Sequence, residues 1–461
     1  MKRRAAYAAP VVLGLLFCFW YITAASDNVA YSDYIRLINS YLPDVDNPAK
    51  FFVPDILTRV PVTYLGRLIN VKWLGYNTFF DLSLGVISLA AGAAALAAYG
   101  KRERRLGYIW FVLIQFVYFS LNKWEMLANG TGWVCFLSIS GFIFHYVVLD
   151  EAIRKGGEGR RLRILLYVTP LVLTLLVAGP YCGGYSVILI LTYTTLLVAE
   201  YRKNRRISRT WLTALGTVLL SLGLYLWSNS FAVYVHRGAV GGSIVAEFLK
   251  DPAFFLRFIL KALASAVAGV GQLQALEADG GTAAALFPYV LGTAVAVMYL
   301  YALYLNVRYR LYEKTAFPLL MILSGGLNHL LIVAARWIFL NEEYGMSSRY
   351  EIQYQMGIIG ILLTFALMGK CCGIGEKAKT GRMAVIGLCT ALVLWGNVWT
   401  TWAEIKTAPF RKDYLQISRE LGLHYRTASD EELETYLHNS ADAVRSAMRI
   451  LEENQLNIFR K

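Results

Sequence analysis

Apolar runs of roughly 18 to 23 residues recur from one end of the chain to the other, each long enough for a helix to cross a hydrocarbon layer about 30 Å thick. They are rich in Leu, Val, Ala and Gly and do not alternate polar with apolar residues at period two. Barrel strands are therefore excluded, and in lipid the backbone of such runs can satisfy its own hydrogen bonds only as helix. Hydrophobic residues fill 57% of 461 positions and charged residues 16%, so the chain reads as an all-α, polytopic integral membrane protein.

A net charge of +14 would suggest nucleic acid in a soluble chain, but the basic residues lie in short clusters between apolar runs. These are "MKRR", "KRERR" (101–105), "RKGGEGRRLR" (154–163), "RKNRRISR" (202–209), "RYRLYEK" (308–314) and "KCCGIGEKAKTGR" (370–382). The positive-inside rule places all six in the cytoplasm and makes them markers of topology. Fixing them there predicts about eleven spanning helices, near 7–25, 78–100, 106–121, 132–149, 164–180, 184–201, 210–228, 283–305, 316–339, 352–369 and 383–402. The N-terminus is then cytoplasmic and the C-terminus extracytoplasmic. Segment 254–272, interrupted by Arg257 and Lys261, is read as re-entrant or interfacial. The six cysteines show neither a disulfide framework nor a zinc spacing.

Residues 1–402 form the expected transmembrane domain, with large outer loops at 26–77 and 229–282, and residues 403–461 a helical extracytoplasmic tail. In the first loop, Tyr34, Leu37, Ile38 and Tyr41 recur at helical spacing and predict an amphipathic helix on the membrane surface, from near Ser32 to Pro43. In the tail, "SDEELETYLHNSADAVRSAMRILEENQLNIF" opens on a cap signature and predicts two short helices.

Ionisable groups at a membrane edge cost on the order of a few kcal/mol each unless they are paired or face water, which makes them candidates for function. Trp and Tyr at such an edge, and Lys or Arg reaching for head groups, have a plain interfacial explanation. Carboxylates do not. Asp33 in the first outer loop and Glu125 in "SLNKWEMLANGTGW" are therefore the leading candidates, with Lys123 and Trp124 beside Glu125. Arg336, Glu342, Glu343, Arg349, Tyr350 and Glu351 lie near the same outer boundary. Three distant turns thus contribute to one face. Carboxylate, guanidinium and access from lipid suggest a lipid-phosphate substrate. His236 and Arg237, beside flexible glycines in the long outer loop, either close over a substrate or belong to a solvated loop. No His-rich or paired-acid set demands a metal, and a divalent ion is the one cofactor the sequence leaves open.

The acid in "YSDYIRLINSYL", the "KWEMLANGTGW" tip, "SSRYEIQY" before a late helix and the closing "AMRILEENQLNIF" resemble bacterial members of the GT-C glycosyltransferase superfamily. Those multi-helix enzymes use polyprenyl-phosphate sugars outside the cytoplasmic membrane. The pattern departs at Met126, where Asn is more usual, and at Asp33, which has no adjacent acid. The resemblance implies an inverting transfer of sugar from a polyprenyl-phosphate donor to a cell-surface glycan or lipid-linked acceptor. Asp33 would be the general base, with Asp27 the less favoured choice; Glu125 would orient acceptor or sugar. Lys123 and Arg349 would neutralise the leaving phosphate, Tyr350 would contact the sugar, and Trp124 and His236 would complete the binding residues. The alternatives are a transporter or flippase for a lipid-linked sugar, and a non-catalytic partner in surface-glycan assembly. Neither inverted repeats nor charges at the bilayer midplane point to transport.

Overall fold

The computed structural model describes residues 2–54, 59–232, 238–371 and 376–461. His236 and Arg237 lie outside the described residues. Twenty α-helices and short 3₁₀ turns make up the described chain, which contains no strand. The long helices are α1 (Lys2–Ala25), α4 (Thr78–Arg102), α7 (Trp133–Arg154), α9 (Cys182–Asn204), α10 (Arg209–Asn229), α14 (Gly281–Arg308), α16 (Phe317–Arg336), α17 (Glu351–Cys371) and α18 (Glu376–Leu423). Among the described residues these nine are long and apolar enough to cross a membrane. The protein is an all-α, multi-pass membrane protein.

Two further expected spans coincide with α5 (Tyr108–Phe119) and α8 (Arg160–Val172). Twelve residues of α-helix rise only about 18 Å, short of a hydrocarbon layer. α8 runs on through a π-turn, Leu173–Val177. Segment 254–272 falls on α12 (Pro252–Ser265) and α13 (Val270–Asp279), which meet at a bend of 116°. A broken pair of this kind is either a re-entrant hairpin or a broken span, and the freed backbone is paired within the protein: Asn122 Nδ2 donates to the carbonyls of Ser265 (3.3 Å) and Val267 (3.2 Å).

Charged clusters collect at one end of the long helices. There Asp150 accepts from Arg102, from Arg154 Nε (3.2 Å) and from Thr315 Oγ1 (2.9 Å), while Glu103 pairs with Arg105 (2.7 Å) and Arg154 (2.6 Å). The opposite ends of α4 and α7, about 33 Å away at 1.5 Å per residue, meet the helices of the 26–77 and 122–131 segments.

Those helices are α2 (Asp33–Tyr41), α3 (Pro61–Leu74) and α6 (Trp124–Ala128). α2 begins after Ser32, as its pattern predicts. Its apolar face, however, packs on the tail instead of on lipid. α18 carries the last span without a break into the tail, which continues as α19 (Asp430–Leu437) and α20 (Ala441–Glu453). The predicted cap is present as a reciprocal capping box between Ser429 and Glu432. Tyr34, Ile35 and Ile38 of α2 share one buried cluster with Leu433, Val444, Met448 and Leu451 of the tail. Asn457, in the closing "QLNIF", stitches the two together: its side chain accepts from Ala30 N (3.1 Å) and donates to the Tyr76 carbonyl (2.8 Å). The remaining helices, α11 (Ile244–Lys250) and α15 (Leu311–Lys314), are short connectors.

Candidate functional site

Asp33 is the first residue of α2 and Glu125 lies in the first turn of α6. Arg349 lies in the 3₁₀ turn Ser348–Tyr350 that leads into α17. From these three distant places the side chains converge. The Arg349 Nε donates to Glu125 Oε1, its Nη1 lies 3.3 Å from Asp33 Oδ2, and Ser348 Oγ donates to Glu125 Oε2 at 3.3 Å. A planar guanidinium with five donors can hold two carboxylates in this way and keep donors for a third group. Arg36, one turn along α2, lies 3.7 Å from the other oxygen of Asp33.

Local backbone explains why Asp33 is held there. Ser32 has φ 54°, an unusual angle for a residue with a Cβ, and its N–H donates to the Leu437 carbonyl in the tail at 2.8 Å. The next tail residue, His438, is left-handed too, with φ 52°. Two strained residues therefore meet where the tail docks, next to the carboxylates. On the far side of α2, Tyr34 donates to Asp81 Oδ2 at 2.9 Å beneath Gly130. A Cβ at Gly130 would lie 1.9 Å from that hydroxyl, so only glycine lets the 122–131 turn close over α2. Burial, and then the Asp81 carboxylate, push the Tyr34 phenol well above its usual value, and it remains a donor.

The Glu125 and Arg349 pair stands between two cavities. One, of about 760 Å³, is lined by Asp33, Arg36, Glu125, Arg336, Arg349 and Tyr350. The other, of about 690 Å³, has a wall of Trp124, Glu125 and Arg349 facing Arg411, Tyr414 and His438 from the tail side. Arg411 covers the Trp124 ring, 3.2 Å from its centroid, and pairs with Glu404 at 2.7 Å. The Tyr414 hydroxyl lies 3.2 Å from His438 Nε2. Partial burial, followed by the Arg349 charge, holds His438 below its ordinary value, so it is neutral at pH 7. Burial and the Glu125 carboxylate push Tyr31, in the same wall, up to about 12.

The expected residues thus divide. Asp33, Glu125, Arg349 and Tyr350 come together, and Trp124 lines the adjoining cavity. Lys123 does not face either one: it is fully buried, and its Nζ donates to the Ser120 carbonyl at 2.7 Å. Burial brings it down to about 7. Asp27 lines a separate recess, 3.8 Å from Arg419. The contributions of the tail are absent from the sequence reading, although Thr407, Phe410, Arg411 and Tyr414 share one helical face at i, i+3, i+4 and i+7, and all four line the second cavity.

No three His, Cys, Asp or Glu side chains converge as metal ligands among the described residues. The space between Asp33 and Glu125 is taken by a guanidinium, so this site does not fit a metal ion. Fold and site together define a multi-pass α-helical membrane protein with a carboxylate and guanidinium cluster in a hollow remote from its basic helix ends. No family model matches the chain, and no curated protein or solved structure shows significant similarity to it.

Proposed function

We propose that the protein is a membrane glycosyltransferase of the GT-C type, with eleven membrane crossings in which α5 and α8 take part. It moves a sugar from a polyprenyl phosphate to a glycan or lipid-linked acceptor on the extracytoplasmic side of a bacterial inner membrane. Asp33 takes the proton of the acceptor hydroxyl, whose oxygen bonds to the anomeric carbon as the bond to phosphate breaks. The anomeric centre inverts and the polyprenyl phosphate leaves with the bonding pair. Glu125 orients the acceptor, Tyr350 contacts the sugar, and Arg349 sets the separation of the two carboxylates. The positive-inside rule supports the orientation, because the clustered basic loops lie at the other ends of the helices. The single observation that carries the reading is the meeting of Asp33 and Glu125 on Arg349 between two cavities large enough for two substrates.

The 116° break between α12 and α13 favours a second reading, a transporter for a lipid-linked sugar, since broken helices line many transport paths. One experiment separates them. Purified protein is given polyprenyl-phosphate sugar and an acceptor glycan, beside Asp33→Asn and Glu125→Gln. Turnover that falls by roughly 10² to 10⁴ in Asp33→Asn supports the enzyme. Unaltered lipid crossing vesicles without transfer supports transport, and turnover equal in wild type and Asp33→Asn removes Asp33 as base.

A further inference from the structure

Two guanidinium groups reach the cavity of about 690 Å³, and both are engaged: Arg349 with Glu125 and Asp33, Arg411 with Glu404 at 2.7 Å. Among the described residues that line it, no cation is left over for an anionic ligand. Elsewhere its wall sets the aromatic rings of Trp124, Phe410 and Tyr414 beside the hydrogen-bonding groups of Tyr31, Asn129 and His438. A pyranose has the same two characters, C–H faces and a rim of hydroxyls, and the electron-rich face of an aromatic ring attracts polarised C–H groups. We infer that this cavity seats an uncharged sugar ring, with Trp124 and Tyr414 against its C–H faces and Glu125 and His438 accepting from its hydroxyls.

Side chains from the tail prepare the wall for such a ring. Arg411, held by Glu404, lies 3.2 Å over the Trp124 ring and fixes its plane. The Tyr414 hydroxyl donates to the Thr435 carbonyl at 2.6 Å, which uses the one proton a phenol has. In its 3.2 Å contact with His438 Nε2 the imidazole is therefore the donor, and neutral His438 keeps a bare lone pair on Nδ1. Among the described residues that nitrogen has no partner, and a sugar hydroxyl supplies one. Stacking on Tyr414, 5.8 Å between centroids and 16° between planes, holds the imidazole in place. The height of the cavity indicates what carries the sugar. Exposed Trp20 on α1 and Trp402 on α18, the latter 5.0 Å from Lys406, stand as an interfacial belt does. Ala25 and Thr407, in the cavity wall, follow them on the same helices by about 7.5 Å at 1.5 Å per residue. A sugar at that level arrives as the head group of a lipid.

That this sugar is the acceptor rests on the proposed transferase reading, in which the phosphate of the donor needs a cation; the sugar seat itself does not. Full-length protein in phospholipid nanodiscs is titrated by calorimetry, against empty nanodiscs, with octyl maltotetraoside, octyl chitotetraoside, the two unalkylated tetrasaccharides and a heparin tetrasaccharide. An octyl glycoside should bind wild type, and bind roughly tenfold more weakly to Trp124→Leu and to His438→Phe, which lose the ring face and the acceptor. His438→Asn should restore part of the affinity, because its side-chain oxygen accepts in place of Nδ1 and Asn tolerates a positive φ. Unchanged thermal melting shows that the variants are folded. Weaker binding of the unalkylated sugars assigns the seat to a lipid head group, and equal binding assigns it to the free end of a glycan. Neither neutral sugar bound in any form, binding that both variants leave unchanged, or tighter binding of the heparin tetrasaccharide overturns the inference. Binding that depends on Trp124 and His438 in a protein that transfers no sugar keeps the seat and removes the transferase reading. Sugar transfer with the KM for acceptor unmoved in both variants does the reverse.

Discussion

Lys123 and Glu125 are two residues apart, yet the fold sends one inward and the other to the cavities. The 3₁₀ turn Leu121–Lys123 followed directly by α6 separates them: Lys123 precedes the helix and Glu125 lies on its first turn. A lysine in the interior is expensive to charge. Burial brings Lys123 from 10.5 to about 7, so between those values the unfolded chain holds a proton that the folded protein does not. Stability therefore rises with pH across that window, by up to about 1.4 kcal/mol per unit, and the full penalty applies below it. Lys123→Met removes the charge while keeping the volume. Thermal melts from pH 6 to pH 9.5 should show the variant more stable than wild type at pH 6, with the gap closing toward pH 9.5. A gap that is constant with pH would mean that Lys123 finds a counter-charge and titrates as in water. The sequence places both residues at the turn but cannot tell which one the turn buries, because residues two apart on a helix point about 200° from each other and nothing local fixes how the turn is rotated.

At the scale of elements, the loop that carries Arg349 is tied to the broken pair by Glu342. Its carboxylate pairs with Arg257 at 2.7 Å and Lys261 at 3.3 Å and accepts from the Tyr289 hydroxyl at 2.6 Å. Burial opposes ionisation of Glu342, but Tyr289, Arg257 and Lys261 outweigh it and hold the carboxyl below its usual 4.5. A carboxylate lowered in this way stabilises the fold fully above 4.5, and the contribution is lost as pH falls through the folded value. Glu342→Gln should loosen the 340–350 loop at neutral pH and abolish the acid-dependent loosening of wild type; hydrogen exchange of the loop amides at pH 7 and pH 4 measures both. Equal protection in variant and wild type at both values would show that the clamp contributes nothing. Arg257 and Lys261 are legible in the sequence as interruptions of an apolar run, which is why 254–272 resists reading as a simple span. Their partners are not legible, since Glu342 lies more than 80 positions away and reaches them only because the 3₁₀ turn Glu342–Met346 packs against α12. The tail shows the same limit. Its cap and its apolar spacing are local signals and hold in the structure, whereas the docking of α20 on α2 depends on a surface that α2 presents equally well to lipid.

The molecule as a whole is polarised along its helices, with the Asp150 and Glu103 ion pairs at one end and the carboxylate hollow, the 26–77 loop and the tail at the other. This arrangement was accessible from sequence because basic loops and acidic tips alternate between apolar runs, and each reversal of direction carries the pattern forward. It bears on the proposed function: if the hollow opens outward, as proposed, it has no access to cytoplasmic nucleotide sugars, and the proposed transfer draws on a lipid-borne donor. Orientation is thus the premise on which the choice of substrate class turns. Lys203, at the end of α9, and Glu431, in the first turn of α19, are both exposed and lie on opposite sides if the polarity is as proposed. Lys203→Cys and Glu431→Cys in intact bacteria, treated with a membrane-impermeant maleimide and corrected for labelling of the native cysteines, should react only at 431. Lysis should then expose 203 to the same reagent. Labelling at 203 in intact cells would put the basic loops outside, turn the hollow toward the cytoplasm, and replace a lipid-borne donor with a soluble one as the substrate to test.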